Sequence, residues 1–571
     1  MSAPPTTPPP PRRDLLALLA CVALGVLLSV FPHLQAWRSG GPPYVADPDE
    51  LELYLPVAAR AWHEGALTLS DPIPAAPSRT IYPWLQLGPG VLLARVLGWG
   101  PLGASCAWRL LAGALVGALV YAVLRQRLRG VALAAGLTAL LLADVGTAFG
   151  KPLLRHATAT IQLLRGDELQ PSGWPSLLAQ WRLISPALSL PWLLVTAICC
   201  LRLQERAIWR RRALAGVSVG LLVPVYFYAW TAAFLGLALW FLLEPRRRRD
   251  LLHVGWIALV VALPALVAGA LMRGEADPGW LERSDKFVHI GRTEALLWPK
   301  AALLLWAVSA AWTLRARRDL LPLSCLSGAG LLLLNHQLVT GLQIENWHWQ
   351  FVYGPLLSVQ LALLAGGALE ARLRPQGRTA LLVALALALV VHLGLALALR
   401  HRELGARESQ RAGALLADFA AQRAEQPALP AGLVAGDPDF VAAAVLLAGR
   451  RPLDHASVRF SPRVTEVAWE EREALDALLR GLDATAFRRE QEARLAGSFF
   501  QAWQGDAAAR EDRLARRLAL YHATRDAFQA VVKRLDVRTV GLPRDAQPPA
   551  YLRRGWRRLE PGPRWQVWVR D

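Results

Sequence analysis

Cysteine, methionine and lysine are scarce in this chain of 571 residues, and each scarcity excludes something. The five cysteines, Cys21, Cys106, Cys199, Cys200 and Cys325, all lie inside apolar runs, where a small thiol packs like alanine. They make no CxxC pair, which argues against a thiolate metal centre and against a disulfide scaffold. Lysine occurs only four times, so the net charge of +19 is carried by arginine. Those arginines fall between apolar segments rather than on one domain face, which excludes a nucleic-acid binder. Glycine-rich phosphate loops and internal repeats are also missing. Charged residues make up 19% of the chain against 54% hydrophobic. A soluble protein of this length needs more charged surface, so the apolar excess belongs in lipid.

The long apolar runs bear this out. A helix needs about 17–25 apolar residues to cross the hydrocarbon core. Segments 14–31, 103–123, 131–148, 187–203, 213–228, 229–243, 254–272, 297–314, 320–335, 353–370 and 378–399 qualify, which predicts about eleven transmembrane helices. The first follows a proline-rich tail (residues 1–13) and has no small-residue cleavage site before Pro32, so it reads as an uncleaved signal anchor. Segment 84–98 is short and interrupted by Pro89 and Gly90.

Charge decides that segment. Arginines cluster at Arg12–Arg13, at Arg125, Arg127 and Arg129, at Arg206 and Arg210–Arg212, at Arg246–Arg249, at Arg315, Arg317 and Arg318, and at Arg372, Arg374 and Arg378. If 84–98 does not cross, every cluster lies on the cytoplasmic side, as the positive-inside rule asks. The expected topology is then a cytoplasmic N-terminus, a membrane domain over 14–400 and an extracytoplasmic soluble domain over 401–571. Outer loops 32–102, 149–186, 273–296 and 336–352 are left to carry any chemistry.

The first outer loop opens with Asp47-Pro48-Asp49-Glu50-Leu51-Glu52-Leu53-Tyr54, four carboxylates in six positions. Apolar residues then recur at Leu51, Tyr54, Leu55, Ala58, Ala61 and Trp62, predicting an amphipathic helix lying on the membrane. Asp47 or Asp49 would cap its start, with Glu50 and Glu52 in the first turn. Capping uses one or two of the four acids. The others are suited to a desolvated general base or to holding a divalent cation beside a phosphate leaving group.

This acidic start, the following Tyr54, the Gly65 near the end of the amphipathic stretch and the proline-led apolar segment resemble the GT-C glycosyltransferases, in particular the protein-mannosyl and aminoarabinose transferase branches. The resemblance covers the first 130 residues best. It implies an integral membrane enzyme that takes a sugar from a polyprenyl-phosphate carrier on the outer face of the cytoplasmic membrane. Aligned on Tyr54 and Gly65, it puts Glu50 at the catalytic acid position. Read on the Asp-Glu dipeptide it selects Asp49, and Asp47 is the third candidate. It also implies a cation for the carrier phosphate in Arg79-Thr80-Ile81-Tyr82-Pro83-Trp84, where Arg79 fits, since a guanidinium binds phosphate oxygens bidentately.

Arg182, just before a span, is a second phosphate-binding candidate or a headgroup anchor. Asn335-His336 and Glu345-Asn346-Trp347-His348-Trp349 put two histidines and two tryptophans within one short outer loop. Polar density between apolar helices points to a cavity, and Asn335, His336, Glu345 and His348 with flanking rings suit sugar recognition. A metal would need Glu345 or a first-loop acid besides a histidine. After residue 400, strands are expected near Gly432–Asp437, Val537–Leu542 and Trp565–Val569, with helix over 440–448 and most of 465–535, a small α/β domain. The chain thus reads as mainly α, with a glycosyltransferase as first function. A lipid-linked-substrate transporter or flippase, or a non-catalytic envelope-polysaccharide assembly protein, is the alternative.

Overall fold

In the computed structural model the described residues are 12–38, 50–76, 78–144, 165, 187–278, 280, 288–289, 296–344, 346–372, 417–421, 429–459, 461–497 and 507–570, with scattered positions between 377 and 390. Segment 378–399 falls largely outside them. So do Asp47, Asp49, Arg182 and Glu345.

Helices occupy each of the other ten predicted spans. They are α1 (Arg12–Arg38), α4 (Gly103–Arg125), α5 (Val131–Asp144), α6 (Leu190–Glu205), α7 (Trp209–Leu221), α8 (Phe227–Leu243), α9 (Arg248–Glu275), α10 (Lys300–Ala316), α11 (Leu321–Leu333) and α12 (Gln350–Arg372). α2 (Leu55–His63) and α3 (Trp84–Val96) lie in the first loop. Among the described residues four helices are long and apolar enough to cross a membrane, namely Arg12–Phe31 of α1, α4, α9 with the turn before it, and α12. The others are shorter than the apolar runs suggested, because turns at Leu222–Val225 and prolines near the helix starts take up residues the runs contain. α4 and α12 are central, whereas α1 and α9 turn Leu15, Leu16, Leu19, Leu252, Trp256, Val260 and Leu263 outward, a continuous apolar surface that belongs in a bilayer.

α1 and α4 run antiparallel and close together. Asp14 at the start of α1 accepts from Arg125 Nε (2.7 Å) and Tyr121 Oη (2.8 Å) at the end of α4. Midway, glycines remove the side chains that would hold the two backbones apart. A Cβ on Gly113 would sit 2.4 Å from the Gly25 carbonyl oxygen, and one on Gly117 would sit 2.4 Å from that of Cys21. Such small-residue contacts are the usual means of close packing where lipid offers no hydrophobic drive.

The basic clusters gather at the Arg125 end. Arg127 pairs with Glu205 and Asp319, Arg211 with Glu205, Arg212 and Arg247 with Asp250, and Arg317 with Asp319, while Glu370 accepts from the Arg129 and Gly130 amides. Since α1 leaves this end and α4 returns to it, segment 84–98 changes no side. At 1.5 Å per residue its 13-residue helix α3 spans about 20 Å, too short for the hydrocarbon core.

The first-loop helix forms, but not as expected. Glu50–Tyr54 is a π-helical turn, and α2 after it is buried from Leu55 through Ala61. It does not lie open on a membrane surface. The C-terminal domain covers it: Leu446 joins the cluster of Leu55, Ala58, Leu87 and Trp108, and His63 Nε2 lies 3.1 Å from the Leu446 carbonyl.

That domain holds β1 (Leu433–Gly436), α13 (Pro438–Ala448), β2 (Arg451–Pro452), α14 (Ala456–Arg459), α15 (Glu466–Leu479), α16 (Ala484–Gly497), α17 (Ala507–Asp526), α18 (Phe528–Arg534), β3 (Val537–Pro543), β4 (Arg557–Arg558) and β5 (Trp565–Val569). The sheet order is β2-β1-β3-β5-β4, with β1 parallel to β2 and β3 and the other pairs antiparallel. Alternate β1 residues face α15–α18 (Leu433, Ala435) and α13 (Val434), so this central strand is apolar on both faces. The two-residue strands β2 and β4 were not foreseen; pairs that short leave no periodicity to read.

Two tests follow. Gly113→Leu forces an overpacked α1–α4 contact costing about 3 kcal/mol, so the monodisperse detergent-solubilised species should be lost, whereas Gly136→Leu, at an open position, should leave it intact. The second concerns Glu473, buried between Arg494 (2.5 Å) and Arg517 (3.2 Å), where burial pushes its carboxyl up to about 7, as it pushes Asp476 up to about 6. A folded value above the unfolded one favours the protonated native state, so this contribution is full below the unfolded value and is lost as pH rises to about 7. Amide exchange of β1 and β3 in the full-length protein, corrected for intrinsic rates, should show more protection at pH 5 than at pH 7.5. Glu473→Gln should flatten the upper part of that slope.

Candidate active site

Glu50 opens the π-helical turn and is wholly buried. Its partners come from the first turns of α4. Arg109 Nη2 donates to Glu50 Oε1, and Arg109 Nη1 donates to Oε2 at 3.0 Å. Ser105 Oγ, one helical turn earlier, donates to Oε2 at 2.8 Å and accepts from Arg109 Nη1 at 2.6 Å. Both carboxylate oxygens are thus engaged by a bidentate guanidinium, the pairing that makes a buried charge tolerable. The sequence analysis named Glu50 but not Arg109 or Ser105. A signal was there: Arg109 is a lone charge inside the apolar segment 103–123, and such a residue normally has a partner.

Around Glu50 the loop is tied down twice. Trp108 Nε1 donates to the Leu87 carbonyl at 2.8 Å and its ring lies against Gly90, where a Cβ would come within 2.0 Å. Arg60 on α2 donates to the carbonyls of Asp71 and Pro74 (2.6 Å each) and Ala75 (3.2 Å), and pairs with Glu64 at 2.7 Å. Tyr54 meets Tyr82 edge to face at 5.2 Å. Arg79 is exposed, its backbone bridged to Ser70. Asp71 is buried, accepts from Ser461 Oγ (2.6 Å) and the Ile73 amide (3.0 Å), and burial pushes its carboxyl up. Ser461 is a C-terminal-domain residue, and α14 of that domain packs on the π-helical turn. The C-terminal domain therefore roofs the start of the first loop.

The fourth loop is held by α8. His348 Nδ1 lies 2.5 Å from Tyr226 Oη, its ring is stacked on Tyr228 at 4.7 Å, and Trp349 Nε1 donates to Thr231 Oγ1 at 3.2 Å. His336 is buried against Trp349 (4.6 Å between rings), and burial lowers its basicity. Asn335 clamps Leu297, accepting from its amide (2.8 Å) and donating to its carbonyl (2.9 Å). Tyr226, Tyr228 and Trp349 belong to the main bundle core, whereas Tyr54 and Tyr82 belong to the core of α2, α3 and α4. The two groups share the end of the bundle opposite the basic clusters but sit in different packing layers. Asp47, Asp49, Arg182 and Glu345 fall outside the described residues, among which no three histidine, cysteine or acidic side chains gather as a metal set.

Removing either member of the buried pair leaves the other uncompensated. Arg109→Met should destabilise the protein by about 3–5 kcal/mol, read as a fall in thermal stability in detergent. The double variant Glu50→Gln/Arg109→Met should recover much of that loss, and strict additivity would mean that the two do not interact.

No protein-family profile matches the chain, and no curated protein sequence does. Among solved structures it is similar to ArnT from Cupriavidus metallidurans bound to undecaprenyl phosphate, with a TM-score of 0.53 at 13% identity over 97% of both chains. The apo state of the same protein aligns over the same share at 14% identity with a TM-score of 0.44. At such identity the likeness is one of architecture, and it extends along nearly the whole chain: the chain has the fold of ArnT.

Proposed function

We propose that the chain is a membrane glycosyltransferase that moves a sugar from a polyprenyl-phosphate carrier to an acceptor on the outer face of the cytoplasmic membrane. The observation that carries this reading is the anchored head of the first loop. Glu50 is locked to Arg109 at the bundle end opposite the six arginine clusters, directly after Asp47-Pro48-Asp49. The fold supports it, and the solved ArnT holds a lipid of the same chemical class, undecaprenyl phosphate.

A carboxylate with both oxygens bonded to a guanidinium and a hydroxyl is a poor proton acceptor. Glu50 is therefore read as the residue that sets the loop, and Asp49, next to it in sequence, as the general base, with Asp47 as its neighbour in charge. Asp49 takes the acceptor hydroxyl proton while that oxygen bonds to the sugar C1. The bond from C1 to the phosphate oxygen breaks, and the polyprenyl phosphate leaves with the electron pair. Charge builds on that phosphate, where the exposed Arg79 would stabilise it, with Arg182 the second candidate that the sequence offers. His336, His348 and Trp349 offer rings and ring nitrogens suited to a sugar.

A transfer assay in membranes with labelled polyprenyl-phosphate sugars tests this. Asp49→Asn should lower the transfer rate about 100-fold or more without lowering thermal stability, while Arg79→Gln should slow release of the carrier phosphate. Transfer undiminished in the triple alanine variant of Asp47, Asp49 and Glu50 would end this mechanism.

A further inference from the structure

A cavity of about 300 Å³ lies where the far end of α2 meets the N-terminal edge of the domain sheet. Arg60, His63 and Glu64 line it from the first loop, and Gly432, Arg450 and Arg451 from the soluble domain. Arg60 is about ten residues beyond Glu50, or about 15 Å by helix rise, so this cavity is separate from the head of the loop.

Its charge is unbalanced. Three guanidinium groups face a single lining carboxylate, Glu64, which Arg60 already engages at 2.7 Å. Arg60 has four of its five N–H groups committed to Glu64 and the three loop carbonyls, so it supplies mainly charge. Arg450 Nη2 donates to the Leu429 carbonyl. The Arg451 guanidinium has no hydrogen-bond partner among the described residues, its backbone being paired with β1. The acid that influences it, Asp536, is held by Arg538 at 2.6 Å. Burial, reinforced by the Arg60 charge, holds the Arg451 guanidinium below its usual value despite Asp536. An unsatisfied, partly desolvated guanidinium beside two more cations is the electrostatic complement of a phosphate.

The walls are also fixed. Gly449 ends α13 at φ 62°, and a Cβ there would fall 2.7 Å from His63 Cγ. Gly432 adopts φ 133° with the Arg538 side chain against it. The cleft is therefore made by two parts of the chain closing on each other, with backbone at their nearest approach.

We infer that this interdomain cleft binds a phosphate group through Arg451 and Arg450, at a site separate from the Glu50–Arg109 pair. The phosphate has two sources, an anionic lipid headgroup or a phosphorylated solute, and one experiment separates them. Full-length protein is placed in nanodiscs of phosphatidylcholine or of phosphatidylglycerol, and thermal unfolding is followed as inorganic phosphate is added at constant ionic strength held with chloride. The expected result is a saturable rise in Tm in phosphatidylcholine discs, with Arg451→Gln weakening the apparent affinity tenfold or more. Arg450→Gln serves as a second variant if the first does not fold. If phosphatidylglycerol discs abolish the phosphate response, the headgroup fills the cleft; if the response persists there, a soluble phosphate does. No saturable effect in either disc, or identical titrations for wild type and both variants, overturns the inference. The readout is binding, so it stands or falls independently of sugar transfer.

Discussion

The bidentate contact between Glu50 and Arg109 is the constraint on which the first-loop end of the molecule depends. Two charges taken wholly out of water are tolerable only when each satisfies the other, and Ser105 completes the set. Because Arg109 stands two turns into α4 and α4 is pinned to α1 by glycine contacts, the pair ties the first residue of the loop helix to the most rigid seam of the bundle. Everything that follows along the loop inherits that position.

From that anchor the loop becomes a platform. α2 is buried on nearly all sides, α3 and Trp108 support it from below, and the soluble domain presses on it through Leu446, Ser461 and α14. Arg60 holds the returning strand of chain by its carbonyls, the work a short strand pairing would otherwise do. The C-terminal domain and the helical bundle are therefore joined through the first loop, with Glu50 at its head and the basic cleft at its foot.

The opposite end is built from a different economy of charge. Arginine clusters that looked in the sequence like isolated anchors are paired by Asp14, Glu205, Asp250 and Asp319, each from a different loop or helix end, while Glu370 holds the Arg129 and Gly130 amides. Exposed pairs of this kind add little stability singly. Their value lies in sorting: a dense basic face at one end and a domain at the other give the bundle an unambiguous polarity.

Apolar run length and arginine spacing were sufficient to foresee a helical membrane bundle, the failure of segment 84–98 to cross and the small sheet at the C-terminus, because lipid imposes local rules that a sequence displays directly. The acids of the first loop were legible for the same reason: four carboxylates beside an apolar anchor are conspicuous. Which of them is locked was not legible, since Glu50 and Arg109 are 59 residues apart and only the return of α4 brings them together. Nor could the α2 pattern reveal its cover, because an apolar helix face reads alike whether lipid or Leu446 lies against it. That Asn335 clamps Leu297 could not be read from its loop, while Arg450 and Arg451 drew no notice until folding set them opposite Arg60. Local chemistry wrote the helices and their polarity; which charges meet was left to contacts between segments far apart in the chain.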